Sequence, residues 1–242
     1  GRHASNRFRR RKGEPPVPEP LAILFEDVHC LAVAKPAGVL SQGDAESLEA
    51  AARLYLRPDE PEAAYIGLVH RLDRPVSGTL LLAKTPKAAR RLADQFARRV
   101  ARKEYWAVVA GGPPTAEGAW DDWLWQDDSG GPGPVQVVRA GTPRAKRALT
   151  RYRREPAAGL GEGLCWLRLW PETGRTHQLR AQSSGRGWPI VGDRAYGSAV
   201  GFGPGIALHA RALVVEHPVR REPLTIEAPL PDAWGALGLR PG

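Results

Sequence analysis

Residues 65–84 read YIGLVHRLDRPVSGTLLLAK, and the rest of the chain can be read outward from them. An apolar lead-in from Tyr65 to Val69 runs into a polar turn holding His70, Arg71, Asp73 and Arg74. Pro75, Ser77 and Gly78 close that turn, and Thr79–Ala83 follows as an unbroken apolar run. A short apolar run bounded by turn residues reads as a buried strand. A polar turn wedged between two buried segments is held rigidly enough to carry a site. Asp73 is the only acid between Glu62 and Asp94, and arginines flank it. Nearby cations keep a carboxylate ionised. An ionised carboxylate serves as a nucleophile or as a base. The same residues also suit a structural Asp–Arg pair on a turn, and on their own they leave both readings open.

Downstream, Thr85 offers a hydroxyl cap and Pro86 suits the first helical position, so a helix is predicted from there to about Val100. Ala89, Leu92, Ala93, Phe96 and Val100 form its apolar stripe, while Lys87, Arg90, Arg91, Arg98 and Arg99 lie outside it. Upstream, Leu21–Phe25 and Cys30–Ala34 flank a Glu26–His29 turn and predict a hairpin. Lys35-Pro36-Ala37-Gly38 reads as a breaker, and Ser47–Leu56 has helical spacing. Further strands are expected at Glu104–Ala110, Arg147–Arg153, Leu164–Trp170, Ala207–Val215 and Pro223–Ala228. Asp121 and Asp122, with Trp123 and Trp125, are expected in an exposed loop. Strands and helices do not alternate regularly, which favours an α+β fold with a mixed, mainly antiparallel sheet flanked by helices.

The chain of 242 residues carries 35 Lys and Arg against 26 acids, a net charge of +9 and an isoelectric point near 10.1. Such a surface attracts polyanions, nucleic acid above all. Residues 2–12 hold six Arg or Lys and no acid, and EPPVPEP follows. Residues 1–20 are therefore expected to be a disordered, basic and Pro-rich arm, with one domain over 21–242. Cys30 and Cys165 form no CxxC unit, and no apolar stretch reaches signal-peptide or membrane-span length. The expected compartment is cytoplasmic, with no membrane partner.

The motifs resemble those of the RluA family of RNA pseudouridine synthases. HRLDRPVSG at residues 70–78 is similar to the family's HRLDxxTSG, with Val76 where Thr is usual. RKEYWAVVAG, TGRTHQLR and WPIVGDRAYG follow in the family's order, the last with Trp188 in place of His. The resemblance spans about residues 21–231 and matches single-domain bacterial members that lack an S4 domain. It implies the pseudouridine synthase catalytic fold, no cofactor and no metal. It also implies catalysis by Asp73, pairing of Arg180 with that carboxylate, and stacking of Tyr105 on the target base. Arg71 would brace the space that a flipped base vacates. His70, Leu72, Arg74, Arg175, His177 and Leu179 are the remaining substrate-binding candidates. Leu72, Leu179 and Ile190 would form apolar walls, and Arg74, Arg175, Arg186 and Arg194 would meet phosphates. The substrate implied is a loop or bulge of ribosomal or transfer RNA, where bases can be splayed out.

Three other functions fit the sequence less well. An RNA-binding protein without catalysis would lack Asp73 or Arg180, and both are present. A metal-dependent hydrolase needs clustered ligands, yet the six histidines are scattered with no HExxH motif. A glycoside hydrolase would draw its second carboxylate from Asp121, Asp122, Asp127 or Asp128.

Overall fold

A computed structural model describes residues 21–127 and 133–239, so the expected arm at 1–20 lies outside the described residues. Within these, the first hairpin pairs β1 (Ile23–Glu26) with β2 (Cys30–Lys35), as the sequence predicted. Helix α1 (Leu48–Leu56) starts where the Ser47 hydroxyl accepts the Ala50 N–H. The short strand β3 (Gly67–Leu68) leads into the HRLD turn, and β4 (Ser77–Ala83) leads out with every residue buried. Helix α2 (Pro86–Ala97) begins at the expected Thr85 cap. It ends before Val100, because Arg99 turns left-handed at φ 59° and leaves Val100 exposed rather than on the apolar stripe.

Strands β5 (Arg102–Ala110), β6 (Glu117–Trp125), β7 (Gln136–Val138), β8 (Lys146–Glu155) and β9 (Leu164–Pro171) follow. Asp121 and Asp122 therefore lie within β6, in ladder with β8, and not in a loop. Helix α3 (Gln178–Ser184) precedes β10 (Leu208–Glu216) and β11 (Pro223–Glu227).

The described strands make one sheet in the order β1-β2-β4-β10-β5-β9-β8-β6-β7, with β11 on β10 and β3 on β4. Every pairing is antiparallel except that of β4 with β10. Both faces of the sheet are covered at β2 and β4. Leu31, Val33, Leu80 and Leu82 enter one core with Leu48 and Ala52 of α1, while Ala32, Leu81 and Ala83 enter another with Ala88 and Leu92 of α2. Burial on both sides is why these strands read as continuous apolar runs rather than alternating ones.

The insertion of β10 between β4 and β5 assembles the site. Gly78, Ala210, Tyr105 and Leu169 fall in one row across β4, β10, β5 and β9. The end of the HRLD turn is thereby set beside Tyr105, far from it in sequence. The approach at Gly78 demands glycine: its φ is +121°, and a Cβ there would run into the Ala210 backbone. Gly78→Ala should destabilise the fold by about 3 kcal/mol or more. Urea unfolding would show it, and an unchanged midpoint would mean that β4 and β10 have room to part.

Candidate active site

Asp73 sits in a tight turn closed by a bond from the Val76 N–H to the Asp73 carbonyl, 3.0 Å. The residues on either side are tied down independently. On one side, the Ser41 hydroxyl donates to the Leu72 carbonyl at 2.9 Å and accepts the Leu72 N–H at 3.2 Å. On the other, the Arg74 carbonyl accepts from the Gly38 N–H at 2.8 Å and from Lys35 Nζ at 3.3 Å. Lys35 is buried and gives its other two protons to the carbonyls of Pro36 and Val39. Burial pushes its pKa down to about 8, and the charge on Asp73 opposes that fall. The segment Lys35–Gly38, which reads as a breaker in sequence, is the clamp on the HRLD turn.

The carboxylate faces Arg180 of α3, with Nη1 donating to Asp73 Oδ2 at 3.2 Å. Arg180 is itself held by a second acid. Its Nε and Nη2 make a bidentate pair with Asp193 at 2.7 and 3.0 Å, and its guanidinium lies 4.8 Å from the centre of the Tyr196 ring. Burial works against the charge of Arg180, but Asp193 and then Asp73 hold its pKa above the ordinary value. The segment carrying Arg180 is stitched to β8 by Gln178. That side chain accepts from Thr173 and the Arg175 N–H, and donates to Thr150 and the Leu149 carbonyl.

Asp73, Tyr105, Leu72, Val76 and Leu179 line a cavity of about 470 Å³, within the range of about 300–1,000 Å³ that small-molecule sites occupy. Burial, and secondarily Asp73, raises the pKa of Tyr105, so its phenol stays neutral. Arg71 is exposed at the cavity wall, with no side-chain hydrogen bond or ion pair among the described residues. Arg175 also lines the cavity, with Nε donating to the Arg147 carbonyl at 3.1 Å. His177 shares a 2.9 Å hydrogen bond with the Tyr196 hydroxyl, and its other nitrogen is 3.8 Å from Asp73. Burial lowers its pKa, with Asp73 opposing.

Other candidates are placed elsewhere. His70 touches the cavity, but its Nε2 accepts the Leu81 N–H at 3.0 Å and its ring stacks on Phe96, so it braces β4 against α2. Arg74 donates to the Gly38 carbonyl and does not line the cavity. Arg186 is bound by Asp122 at 2.8 and 3.1 Å, and Ile190 is core. Arg194 is exposed outside the cavity wall. The two departures from the family's motifs are packing positions: Val76 is buried, and Trp188 packs near Gly111 and Trp120. Asp27, Cys30 and His217 come close enough for a metal ion. Their donors are engaged, however. Asp27 accepts from the His29 and Cys30 N–H groups and from His217, and burial pushes the Cys30 thiol up to about 12.

Residues 29–184 match the model of the RNA pseudouridylate synthase family, more than half of the chain. The chain belongs to that family. This pseudouridine synthase is 37% identical over 218 residues to the dual-specificity RNA pseudouridine synthase RluA of Escherichia coli K12, covering 89% of this chain and 95% of the relative. It is 35% identical over 229 residues to an RNA pseudouridine synthase of Synechocystis sp., covering 90% and 68%. Among solved structures it resembles human RNA pseudouridylate synthase domain containing 1, with a TM-score of 0.74 and 28% identity over 90% of this chain and 86% of the other. Human RNA pseudouridylate synthase domain containing 4 shares the fold, with a TM-score of 0.70 at 23% identity over 89% and 92%. The enzyme isomerises uridine in RNA to pseudouridine.

Asp193, Lys35 and Ser41 hold this synthase's site in place although its motifs assign them no role. Asp193 was within reach: it stands in the quoted WPIVGDRAYG motif, in a chain segment otherwise poor in acids. Burial also gives the enzyme an acid limit. The pKa of His70 is pushed down to about 3 and that of His209 to about 4, in both by burial first. The unfolded chain binds protons on these rings near pH 6.5 and the folded chain resists them. Stability is unaffected by these rings above about pH 6.5 and is lost as pH falls below it, down to about 4 for His209 and about 3 for His70. The urea midpoint should decline across that window, and a flat midpoint down to about pH 5 would contradict it.

Proposed function

We propose that Asp73 is the catalytic residue, acting on the ribose of a uridine flipped out of a loop or bulge of ribosomal or transfer RNA. The observation that carries this reading is the ionic pair at the cavity: a carboxylate 3.2 Å from a guanidinium that is itself immobilised by Asp193. Enzymes that act on a base take it out of the stack, and a cavity of this size suits a single nucleoside. Tyr105 offers the extruded uracil a stacking surface, worth about 1–3 kcal/mol per base. Leu72, Val76 and Leu179 hold the freed base while it turns. Arg71, unpartnered at the cavity wall, fills the gap left in the RNA, and Arg175 and His177 meet the backbone beside it.

The reaction breaks N1–C1′ and forms C5–C1′. The C5 proton is lost to solvent and N1 gains one, so no redox partner is required. Asp73 acts either by attack at C1′ or by removing the C2′ proton, and for both the hydrogen bond from Arg180 aims the carboxylate. The E. coli relative's name states a dual-specificity RNA pseudouridine synthase, which supports RNA as the substrate. The enzyme works in the cytoplasm, on residues 21–242 as one catalytic domain. The test is release of tritium from RNA labelled at uridine C5, with chelator present. Release followed by mapping of the modified uridine after gene deletion supports the proposal; no release from any cellular RNA pool overturns it.

A further inference from the structure

The catalytic cavity adjoins a second groove of about 610 Å³. The two share a lip formed by Arg99, Ala101, Lys103, Pro171, Glu172 and Thr173. Beyond the lip lie Arg102, Arg147, Arg151 and Trp170, so the combined wall holds five cationic side chains and one acid.

The lip is built as an anion seat. Lys103 is largely enclosed, and its ammonium makes a single 3.3 Å bond to the Thr173 carbonyl. No carboxylate pairs with it among the described residues. Burial lowers its pKa, and the neighbouring charge of Arg99 lowers it further. An anion between the two would relieve both penalties. Arg99 is held for that position by its backbone: it takes the left-handed conformation at φ 59°, just past the end of α2, where glycine is the usual residue. A long side chain rarely adopts that conformation, and such strain collects at functional positions. The Arg99 side chain is exposed, with no side-chain hydrogen bond or ion pair among the described residues.

The outer groove offers a ring. Residues alternate along β9, so Trp170 points away from the core that Leu167 and Leu169 enter. Its Nε1 donates to Glu104 at 3.1 Å, and Arg168 lies 5.2 Å from its ring centre, so the ring is fixed before anything binds. Arg147 and Arg151 pair with Asp121 and Glu172 on the exposed surface. Exposed pairs of this kind contribute little and exchange readily for a phosphate.

The geometry points to the lip and groove as the seat of an unpaired nucleotide adjoining the modified uridine, with its phosphodiester between Arg99 and Lys103, the next phosphate along the strand at Arg151, and its base against Trp170. The inference rests on the main cavity being the uridine site. It requires the RNA to run on as a single strand for at least one nucleotide beside that uridine. Cations that track a backbone beside an aromatic platform are how proteins hold unpaired strands.

The test is fluorescence anisotropy with a labelled oligouridylate, titrated over a series of salt concentrations. An Arg99→Gln, Arg151→Gln double variant should show a salt slope shallower by roughly 1.4, since each phosphate contact on a single strand contributes about 0.7. Trp170→Ala should bind about tenfold more weakly with the slope unchanged. Arg99 and Arg151 are exposed, so the double variant decides the matter even if loss of Trp170 disturbs the fold. Parental slope and affinity in the double variant overturn the inference. Pseudouridine formation in bulk RNA is measured alongside. Parental enzyme that makes pseudouridine while the double variant binds as the parent refutes this groove alone. Parental enzyme that binds with the expected slope yet makes no pseudouridine refutes the functional reading and leaves the groove standing.

Discussion

Replacing Asp73 by Asn should stop tritium release from C5-labelled RNA, a fall of about 10⁴-fold or more, of the order seen when an enzyme loses its essential nucleophile or base. The substitution keeps the shape of the side chain and removes only its charge and basicity. The rest of the cavity should stay as it is, because the turn is pinned by Ser41, Gly38 and Lys35 through backbone groups. Arg180 keeps its bidentate partner Asp193, and an amide oxygen at position 73 can still accept from Nη1. Stability should therefore change by less than about 1 kcal/mol. An inactive protein that unfolds at the parental urea concentration is the expected pair of results. Activity within tenfold of the parent would remove Asp73 from the chemistry altogether.

Asp193→Ala should have the opposite profile, with a large loss of stability accompanying the loss of activity. Arg180 is 6% exposed and Asp193 2%. Removing the acid leaves a buried guanidinium with one 3.2 Å bond to a partly exposed carboxylate. Breaking a buried pair from one side costs about 3–5 kcal/mol, because the remaining charge is left without compensation. Replacing both members, as in Arg180→Met with Asp193→Ala, should recover much of that stability, since no charge then remains stranded. Activity should not return, for Asp73 would have lost its cation. Equilibrium unfolding of the three proteins reads this out. An Asp193→Ala enzyme as stable as the parent would show that Arg180 finds another partner, and the proposed role of Asp193 would be wrong.

What could be read from the chain alone depended on how local the cause was. β4 was legible because burial on both faces leaves an unbroken apolar run, and α2 because Thr85 and Pro86 are start signals independent of tertiary context. The end of α2 was not, since the stripe continues to Val100 while the left-handed turn at Arg99 is a backbone event. α3 escaped notice for a similar reason. It has seven residues, begins at His177 in a left-handed conformation, and has no side-chain cap. Asp73, Tyr105 and Arg180 were found through motif resemblance, and the structure brings all three to one cavity. Asp193 was legible in principle, as the one acid of the WPIVGDRAYG motif, whereas a lone lysine such as Lys35 announces nothing until the fold supplies its partners. The sequence offers Arg186 as a phosphate contact, yet Asp122, which lies in β6 and not in the expected loop, already holds it.

The position of β10 sets a temporal order on this enzyme. As chain leaves the ribosome, everything up to β9 emerges before the strand that joins β4 to β5. Until residues 208–216 are free to insert, the two flanks of the sheet have no ladder between them, and the HRLD turn and Tyr105 belong to separate pieces. A nascent chain is therefore catalytically silent until β10 has emerged and inserted. Competence arrives in one late, long-range step that topology makes slow.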